Sequence, residues 1–271
     1  MNEKICRYLI CPVCGEKLFH EGGSLVCENR HTYDISKHGY VNMTNTSSKK
    51  QSGDSKEMAA ARSMFLSSGA YAGFLCGIKK AAGAGRLLVD AGCGEGYYTS
   101  ELSRSFECTA GFDLSKASVM AAAKRARAEG TAQGCFFGVG SVYSLPIAGG
   151  TADCITNIFA PCVEEEYERV LCTGGRLVVA CAGAHHLCGM KEVLYDITRD
   201  NTERSDLPKR MALIDKINVS YDITLDSTEL IRALYMMTPY CYKTGIDAQA
   251  KLLSLDSLKT TVDFDIYVYQ K

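Results

Sequence analysis

Residues 86–113 read RLLVDAGCGEGYYTSELSRSFECTAGFD, and this stretch decides the fold. The apolar run 86–91 ends in an aspartate and a glycine-rich turn, which predicts a buried strand followed by a tight turn. A helix is expected over 97–104, and a second strand over 108–113 ends in another aspartate. Strand, turn, helix and strand in this order predict two parallel strands joined by a right-handed crossover.

The same alternation continues toward the C-terminus. Helices are predicted over 57–67, 115–129 and 164–171, and strands over 135–139, 152–159 and 176–182. The tail differs, because 217–225 and 262–268 alternate apolar and polar residues with period two, which favours antiparallel or edge strands. Between them, Asp226 followed by Glu229 predicts a helix that opens with a capping box. The chain is therefore expected to be α/β, with a mainly parallel sheet.

Length and composition limit the class of protein. A chain of 271 residues suits one or two domains, and 46% hydrophobic with 23% charged residues excludes a mainly disordered or collagen-like protein. An apolar run of about 18 residues is missing, so no membrane span is expected. The N-terminus lacks the features of a secretory signal, so the 14 scattered cysteines are interpreted as reduced thiols of a cytoplasmic protein.

Residues 1–45 are rich in cysteine, histidine, glycine and aromatic residues, and four of them have metal-ligand spacing. Cys11 and Cys14 form a C-x2-C pair, and Cys27 and His31 follow as C-x3-H after twelve residues. Three thiolates and an imidazole suit one structural zinc ion in a closed tetrahedral site. The alternatives are unrelated thiols without a metal, or a redox-active C-x2-C pair. Nearby side chains that could replace a ligand are Cys6, His20 and His38.

Basic residues are in slight excess at the N-terminal end. Residues 1–56 hold eight Lys and Arg against six Asp and Glu, whereas residues 57–271 hold the other 22 against 25. This distribution neither indicates nor excludes a nucleic-acid partner by itself. The polar stretch TSSKKQSGDSK at 46–56 is interpreted as a linker between two domains.

The turn glycines Gly92, Gly94 and Gly96 allow a ligand to approach the backbone at the start of a helix. They fall at every second position, unlike the dinucleotide-binding pattern G-x-G-x-x-G. Asp113 ends the next strand and is placed to accept both hydroxyls of a ribose. This D-x-G-x-G-x-G turn with a second acid resembles the signature of class I S-adenosylmethionine-dependent methyltransferases. The alternative is a Rossmann-type nucleotide-binding domain of another kind.

That resemblance implies specific contacts with S-adenosylmethionine. The methionine carboxylate would meet the start of the helix after the turn, and the sulfonium would lie near Asp90, directly or through water. Ser141, at the end of the third strand, falls where such proteins often contact the adenine ring, although a loop serine without a ligand is equally compatible. The implied fold is a class I methyltransferase: a Rossmann-like, mainly parallel sheet with helices on both faces, plus a small N-terminal zinc-binding module.

Several strings carry a closer resemblance. They are CPVCGEKL from residue 11, HTYDISKHGYVN from 31, SGDSKEM from 52, VDAGCGEGYYT from 89, FDLSK from 112, FAPC from 159 and MTPY from 237. They are similar to the RlmA/RrmA group of 23S ribosomal RNA guanine-N1 methyltransferases, which includes the tylosin-resistance type. This resemblance implies a zinc-binding RNA-recognition module at 1–45, a linker at 46–56 and a methyltransferase domain at 57–271.

The family resemblance also implies roles for single residues. It makes Cys11, Cys14, Cys27 and His31 the zinc ligands. It assigns cofactor contacts to Tyr71, Gly96, Tyr97 and His186. From the residues alone, a histidine such as His186 in a loop after a strand is more often solvated or structural. The family often carries a histidine where this chain has Ala70, so that local contact is not carried over.

The activity implied is methyl transfer to N1 of a guanosine in a hairpin of 23S ribosomal RNA, which requires the base to leave its stack. The segment 157–162, NIFAPC, falls where this fold places its substrate-facing loop, although a plain turn is the alternative. No general base is identified. The acids of the 184–216 insertion that come into question are Glu192, Asp196, Asp200, Glu203 and Asp206. The cations expected to hold the RNA backbone are Arg7, Lys17, Arg30, Lys37, Lys49 and Lys50.

Other functions stay open at this point. One is a methyltransferase of small molecules such as a quinone or a macrolide intermediate, which would not need a zinc module. Another is a non-catalytic zinc-dependent RNA-binding protein, which the intact turn and Asp113 disfavour. The expected partner is a 23S ribosomal RNA hairpin and no membrane, and a homodimer is left open.

Overall fold

The structure is a computed structural model that describes residues 3–44, 55–202 and 204–271. Most of the linker expected over 46–56 therefore lies outside the described residues, as do Lys49, Lys50 and Glu203.

Strands and helices alternate through the central part of the chain. The strands are β1 (Leu18–Glu21), β2 (Ser24–Cys27), β3 (Thr32–Asp34), β4 (Tyr40–Asn42), β5 (Gly85–Ala91), β6 (Phe106–Asp113), β7 (Cys135–Val139), β8 (Ala152–Ile158), β9 (Leu171–Ala182), β10 (Ala212–Leu225) and β11 (Leu258–Gln270). The helices are α1 (Lys56–Ser67), α2 (Ala72–Ala82), α3 (Tyr97–Leu102), α4 (Lys116–Ala128), α5 (Glu164–Val170), α6 (Cys188–Leu194), α7 (Thr228–Met236), α8 (Tyr240–Lys243) and α9 (Ile246–Leu253). Short 3-10 helices cover Glu3–Arg7 and Ser103–Ser105.

Within these ranges, β1, β2 and β3 form a small antiparallel sheet, and the other strands form an eight-stranded sheet in the order β10-β11-β9-β8-β5-β6-β7-β4. Neighbouring strands from β9 to β4 in that order are parallel, whereas β10 and β11 run antiparallel at one edge. The predicted mainly parallel sheet and the antiparallel tail are both confirmed. Because parallel strands end at the same edge, the segments after β5, β6 and β8 come together there.

Local sequence explains helix α4, which lies between β6 and β7 in the chain. The side chain of Ser115 accepts a hydrogen bond from the backbone N–H of Ser118 and caps α4. Val119, Ala122, Ala123 and Ala126 form its buried face. Small alanine side chains let this helix lie close to the sheet. The sequence pattern predicted this helix within one residue at each end.

The N-terminal module packs on the sheet as part of the same core. Strand β4 pairs in parallel with β7 and so adds a strand to the eight-stranded sheet. Buried Ile5 and Leu9 belong to the same apolar cluster as Leu87 and Val89 of β5. The described residues 140–151, between β7 and β8, contain no helix. The module lies against this connection, since Leu9 bridges to Ile147.

The opposite face of the sheet is covered by helices. A second cluster joins α1, α2, α6, α7 and α9 to the other side chains of β5, β9 and β11. Helix α5 contributes Tyr167 and Val170 to the first cluster, so helices lie on both faces, as predicted. None of the described helices has the length and apolar character needed to cross a membrane.

Some local predictions differ from the structure. The cap of α7 is Ser227, whose hydroxyl accepts from the backbone N–H of Leu230, so the predicted capping box at Asp226 and Glu229 is wrong by one residue. Ser227 is the cap because its extended backbone brings its side-chain oxygen to the backbone N–H of Leu230 in the first turn. Helices α2, α6, α8 and α9 were not predicted, and the strands of the tail are longer than their alternating patterns.

Candidate active site and metal centre

The glycine turn after β5 is folded against the loop that follows β8. Gly92 has φ +88, and a β-carbon there would lie 2.4 Å from the Cβ of Ala160. Gly96 has φ +78, and a β-carbon there would lie 2.6 Å from the Cβ of Ala122 in α4. Both positions therefore need glycine for space as well as for backbone conformation. Gly94 has φ +54 but is more open.

Asp90, at the end of β5, lies beneath this turn. Its side chain is buried, and its oxygens accept hydrogen bonds from Thr99 Oγ1 at 2.5 Å and Thr156 Oγ1 at 2.9 Å. Burial raises the pKa of Asp90 to about 6, although the two threonine hydroxyls oppose that rise. Asp90 therefore links the turn to α3 and β8 through these hydrogen bonds. Because its side chain is buried, Asp90 would influence a cofactor sulfonium through the position of the turn or through the electrostatic field of its carboxylate.

Asp113, at the end of β6, faces the turn from the neighbouring strand. Its Oδ2 accepts from the backbone N–H of Gly94 at 3.1 Å and its Oδ1 from the backbone N–H of Ser115 at 2.7 Å. A carboxylate oxygen can accept more than one hydrogen bond, so this group has the chemistry to bind a ribose diol. The two strand-end acids predicted from the sequence therefore lie on either side of one turn, with different surroundings.

Tyr71 and His186 are 115 residues apart in the chain and lie together in the fold. Tyr71 Oη is 3.5 Å from His186 Nε2, and both side chains are buried. Burial lowers the pKa of His186 to about 3, so the ring is neutral at neutral pH. The solvated-loop alternative for His186 is therefore excluded. Both residues pack on the ring of Phe264.

Strand β11 holds His186 in place. The backbone N–H of Asp263 donates to His186 Nδ1 at 3.3 Å, which leaves Nε2 as the protonated nitrogen of the neutral ring. Tyr71 Oη is then the acceptor, and its own hydroxyl hydrogen can be donated elsewhere. The Asp263 carboxylate accepts from the backbone N–H of His185 at 2.9 Å and from Asn218 Nδ2 at 2.9 Å. Sequence reasoning missed Asp263, although a carboxylate inside an alternating apolar strand was the available signal.

Tyr97 and Ser141 follow the glycine turn and strand β7, respectively. Tyr97 begins α3, directly after Gly96, and the guanidinium of Arg125 lies 5.5 Å above its ring. Ser141 Oγ accepts from the backbone N–H of Tyr143 at 3.2 Å, which is typical of a turn serine. Its contact with an adenine ring stays a prediction, as do the individual cofactor contacts of the other residues.

The metal centre is formed by two turns that face each other. The ligand atoms of Cys11, Cys14, Cys27 and His31 all lie within 4.8 Å of one another. The Sγ atoms of Cys14 and Cys27 are 3.7 Å apart, and Cys27 Sγ is 3.4 Å from His31 Nδ1. A tetrahedron of Zn–S bonds about 2.3 Å long has edges of about 3.8 Å, so these residues fit one zinc ion.

The surroundings of the cluster support the same ligand set. Tyr33 Oη lies 3.2 Å from Cys11 Sγ and can donate to a metal-bound thiolate. Cys6, His20 and His38 are not part of the cluster within the described residues. They are therefore not ligands in this arrangement, and the expected Cys3His set is the one that the fold assembles.

The loop after β8 is held by a segment of the insertion that precedes β10. Arg204 donates to the backbone carbonyl of Ala160 at 2.5 Å and is ion-paired with Asp206. That pairing lowers the pKa of Asp206 to about 2. Burial raises the pKa of the Cys162 thiol to about 12, so it stays protonated and is no nucleophile. Of the other acids considered as a base, Asp200 is exposed and pairs with His185.

Two family models match this chain. One, described as RlmA, N-terminal, is a zinc ribbon and matches residues 9–52. The other, described as a methyltransferase domain, matches residues 88–190. A 23S rRNA (guanine(748)-N(1))-methyltransferase of Streptomyces fradiae is 36% identical over 203 residues, which cover 72% of this chain and 70% of the relative. The chain belongs to the 23S rRNA (guanine-N1)-methyltransferase family.

Other similar proteins carry related names. A putative 23S rRNA (guanine-N(1)-)-methyltransferase of Micromonospora griseorubida is 32% identical over 69% of this chain and 70% of its own length. A putative enzyme of the same description from Bacillus subtilis is 28% identical and covers 96% of both chains. The family therefore extends over the zinc module and the methyltransferase domain of this chain.

Proposed function

We propose that this protein transfers a methyl group from S-adenosylmethionine to N1 of a guanosine in a hairpin of 23S ribosomal RNA. The observation that carries the proposal is the convergence, at one edge of the sheet, of the glycine turn, Asp113 and the Tyr71–His186 pair in a chain of this family. A zinc module that shares the core of the sheet supports an RNA substrate over a small molecule.

The zinc module and α4 provide cations for an RNA backbone. Lys17, Arg30 and Lys37 are exposed, and within the described residues no acidic group pairs with them. Arg7 is less available, because it pairs with Glu107 of β6 at 3.5 Å. Among the predicted cations that the structure describes, Lys17, Arg30 and Lys37 are therefore the ones best placed to contact the RNA.

Cations from both parts of the molecule meet where the module contacts α4. Arg127 donates to the backbone carbonyl of Lys37 at 3.1 Å, and Lys124 lies one turn earlier on the same helix. Desolvation lowers the pKa of His38, and the nearby charges of Lys124, Lys37 and Arg127 lower it further. An RNA phosphate backbone that crosses the contact between the module and α4 would be attracted by the cations of both.

In the proposed reaction the protein acts mainly by positioning. When bound, S-adenosylmethionine supplies a methyl group on a positively charged sulfur. Asp113 would hold the ribose, and Tyr71 would donate its hydroxyl hydrogen to the cofactor, since His186 makes it an acceptor on the other side. The guanine must be unstacked, brought in line with the methyl group, and lose its N1 proton. The ion pair with Arg204 removes Asp206 from the candidates for that proton.

Labelled S-adenosylmethionine tests this proposal against its rivals. Incubation with ribosomal RNA should place the label in RNA, and digestion should release it as N1-methylguanosine. Label in a small molecule instead would favour the small-molecule reading. A protein that binds RNA but does not bind the cofactor in a calorimetric titration would be the non-catalytic RNA-binding protein. A cytoplasmic location and the absence of a membrane partner belong to the same proposal, and sedimentation of the purified protein would decide whether it is a homodimer.

A further inference from the structure

Phe159 combines two features that a core residue avoids. Its backbone has φ +58, a left-handed conformation that is costly for a bulky residue, and its side chain is 50% exposed. It follows β8 directly, and its backbone N–H donates to the carbonyl of Ala180 in β9 at 3.1 Å. This hydrogen bond to β9 therefore fixes the backbone position from which the Phe159 side chain extends. Strained backbone at the ligand edge of a sheet points to function.

Hydrogen bonds from two buried side chains hold the residues that follow Phe159. Asn157 Nδ2 and Tyr167 Oη both donate to the backbone carbonyl of Pro161, at 2.9 and 3.1 Å. Asn157 Nδ2 also donates to Tyr167 Oη at 2.8 Å. The side chains of Asn157 and Tyr167 are buried, so this network keeps the turn rigid.

The segment 160–162 is also held by hydrogen bonds from the insertion before β10. Arg204 donates to the carbonyl of Ala160, and the backbone N–H of Cys162 donates to Asp206 Oδ2 at 3.0 Å. The Arg204–Asp206 ion pair keeps these two groups in register with each other. Contacts on both sides of Ala160 and Cys162 therefore oppose a relaxation of the backbone at Phe159.

Phe159 lies between the cofactor-side residues and solvent. The next residue, Ala160, contacts the cofactor turn at Gly92. The ring centroid of Phe159 is 5.3 Å from that of Phe264, whose other neighbours include His186 and Tyr71. One side of the ring is thus packed on the cluster that the cofactor-contact residues share, and the rest is open.

We propose that Phe159 is a substrate-positioning residue whose open ring face stacks on the unstacked guanine of the RNA. A flipped base needs an aromatic or apolar surface to replace the neighbours that it left. An aromatic ring fixed next to the methyl-donor turn supplies that surface and leaves the edge of the base, with N1, turned toward the donor. This inference rests on the proposed function, because it needs an RNA base as the acceptor.

Two variants separate the ring from the backbone. Phe159→Asn removes the ring, and asparagine tolerates a left-handed backbone better than most residues. Phe159→Tyr keeps an aromatic face. Stacking on one base is equivalent to about a 5- to 150-fold change in affinity. We expect F159N to lower kcat/KM for the RNA within this range with the dissociation constant for S-adenosylmethionine changed by less than about threefold, and F159Y to restore most of the loss.

The decisive comparison uses two RNA hairpins, one intact and one that lacks only the target base, after the target has been mapped with the wild-type protein. F159N should weaken binding of the intact hairpin about fivefold or more and bind the abasic hairpin as the wild type does. An equal loss for both hairpins, or no loss for either, would overturn the inference. If F159N does not fold, the same comparison is made with F159L. Failure of the wild-type protein to methylate RNA at all would instead contradict the proposed function.

Discussion

Gly92 in the cofactor turn and Ala160 in the loop after β8 are in direct contact: a β-carbon at Gly92 would lie 2.4 Å from the Cβ of Ala160. This contact joins the two halves of the site, since one side belongs to the turn that would hold the methyl donor and the other to the loop that would hold the acceptor. In the proposed reaction, the distance between methyl donor and acceptor would therefore depend on a position that has no side chain.

Gly92→Ala is expected to destabilise the fold and to abolish measurable binding of S-adenosylmethionine. The added methyl group meets Ala160, and alanine at φ +88 is strained, which together cost about 2–4 kcal/mol. Urea unfolding and a calorimetric titration would measure the two effects. Gly94→Ala is the matched control, because it has φ +54 but only Arg62 Nη1, at 3.5 Å, near the new methyl group. Equal losses of stability in the two variants would show that steric contact with Ala160 is not the cause.

Cys14→Ser is expected to remove zinc and to destabilise the methyltransferase domain as well as the module. Strand β4 and the module residues Ile5 and Leu9 are part of the main sheet and its core, so their loss reaches β7 and β5. We expect a loss of at least about 2 kcal/mol, which lowers Tm by about 4–8 °C. Metal analysis and thermal unfolding are the measurements. His20→Ala should keep one zinc per chain, and a Cys14→Ser protein with full zinc content would disprove the ligand set.

Tyr71→Phe is expected to weaken S-adenosylmethionine binding about tenfold and to cost about 1–3 kcal/mol of stability. The substitution keeps the aromatic packing on Phe264 but leaves His186 Nε2–H without its acceptor. Isothermal titration and urea unfolding measure both. Tyr143→Phe removes a hydroxyl from a largely exposed side chain and serves as the control. A Tyr71→Phe protein that matches this control would rule out a role for the Tyr71 hydroxyl.

Asp90→Asn is expected to change the pH dependence of stability in one window. Burial raises the pKa of Asp90 from 3.8 to about 6, so the native state binds this proton more tightly than the unfolded chain does. Stability from this group is complete below pH 3.8 and is lost as pH rises through 6, by about 3 kcal/mol in total. Relative to the wild type, the free energy of unfolding of the variant should therefore rise between about pH 4 and 6. The difference should then stay constant above pH 6.

Unfolding free energies measured from pH 4 to 8 would check this, with Asp215→Asn, which removes an exposed acid, as the control. A wild-type protein that gains stability relative to Asp90→Asn as pH rises would have the opposite sign and would contradict the buried carboxylate.

The sequence predicted best those features in which a local pattern and a chemical requirement coincide. The strand–turn–helix–strand unit at 86–113 and α4 were predicted because glycine spacing, strand-end acids and alanine periodicity all point to one structure. The C-x2-C and C-x3-H pairs predicted the metal cluster for the same reason.

What the sequence did not predict depends on contacts between distant segments. Thr99 and Thr156 surround Asp90 from two different elements, and nothing local indicates that a strand-end acid is enclosed. The contact between Tyr71 and His186 spans 115 residues and was not predicted. The family resemblance implied only a separate cofactor contact for each of the two residues. The docking of β4 on β7 was missed because a three-residue strand has too little periodicity to show its partner.

The central claim is that this protein methylates N1 of a guanosine in 23S ribosomal RNA, and primer extension on treated RNA tests it most directly. An N1 methyl group blocks Watson–Crick pairing, so reverse transcriptase should stop next to one guanosine within a hairpin. The stop should require S-adenosylmethionine and disappear with Gly92→Ala. Absence of any cofactor-dependent stop, with a zinc-loaded protein that binds S-adenosylmethionine, would contradict the account.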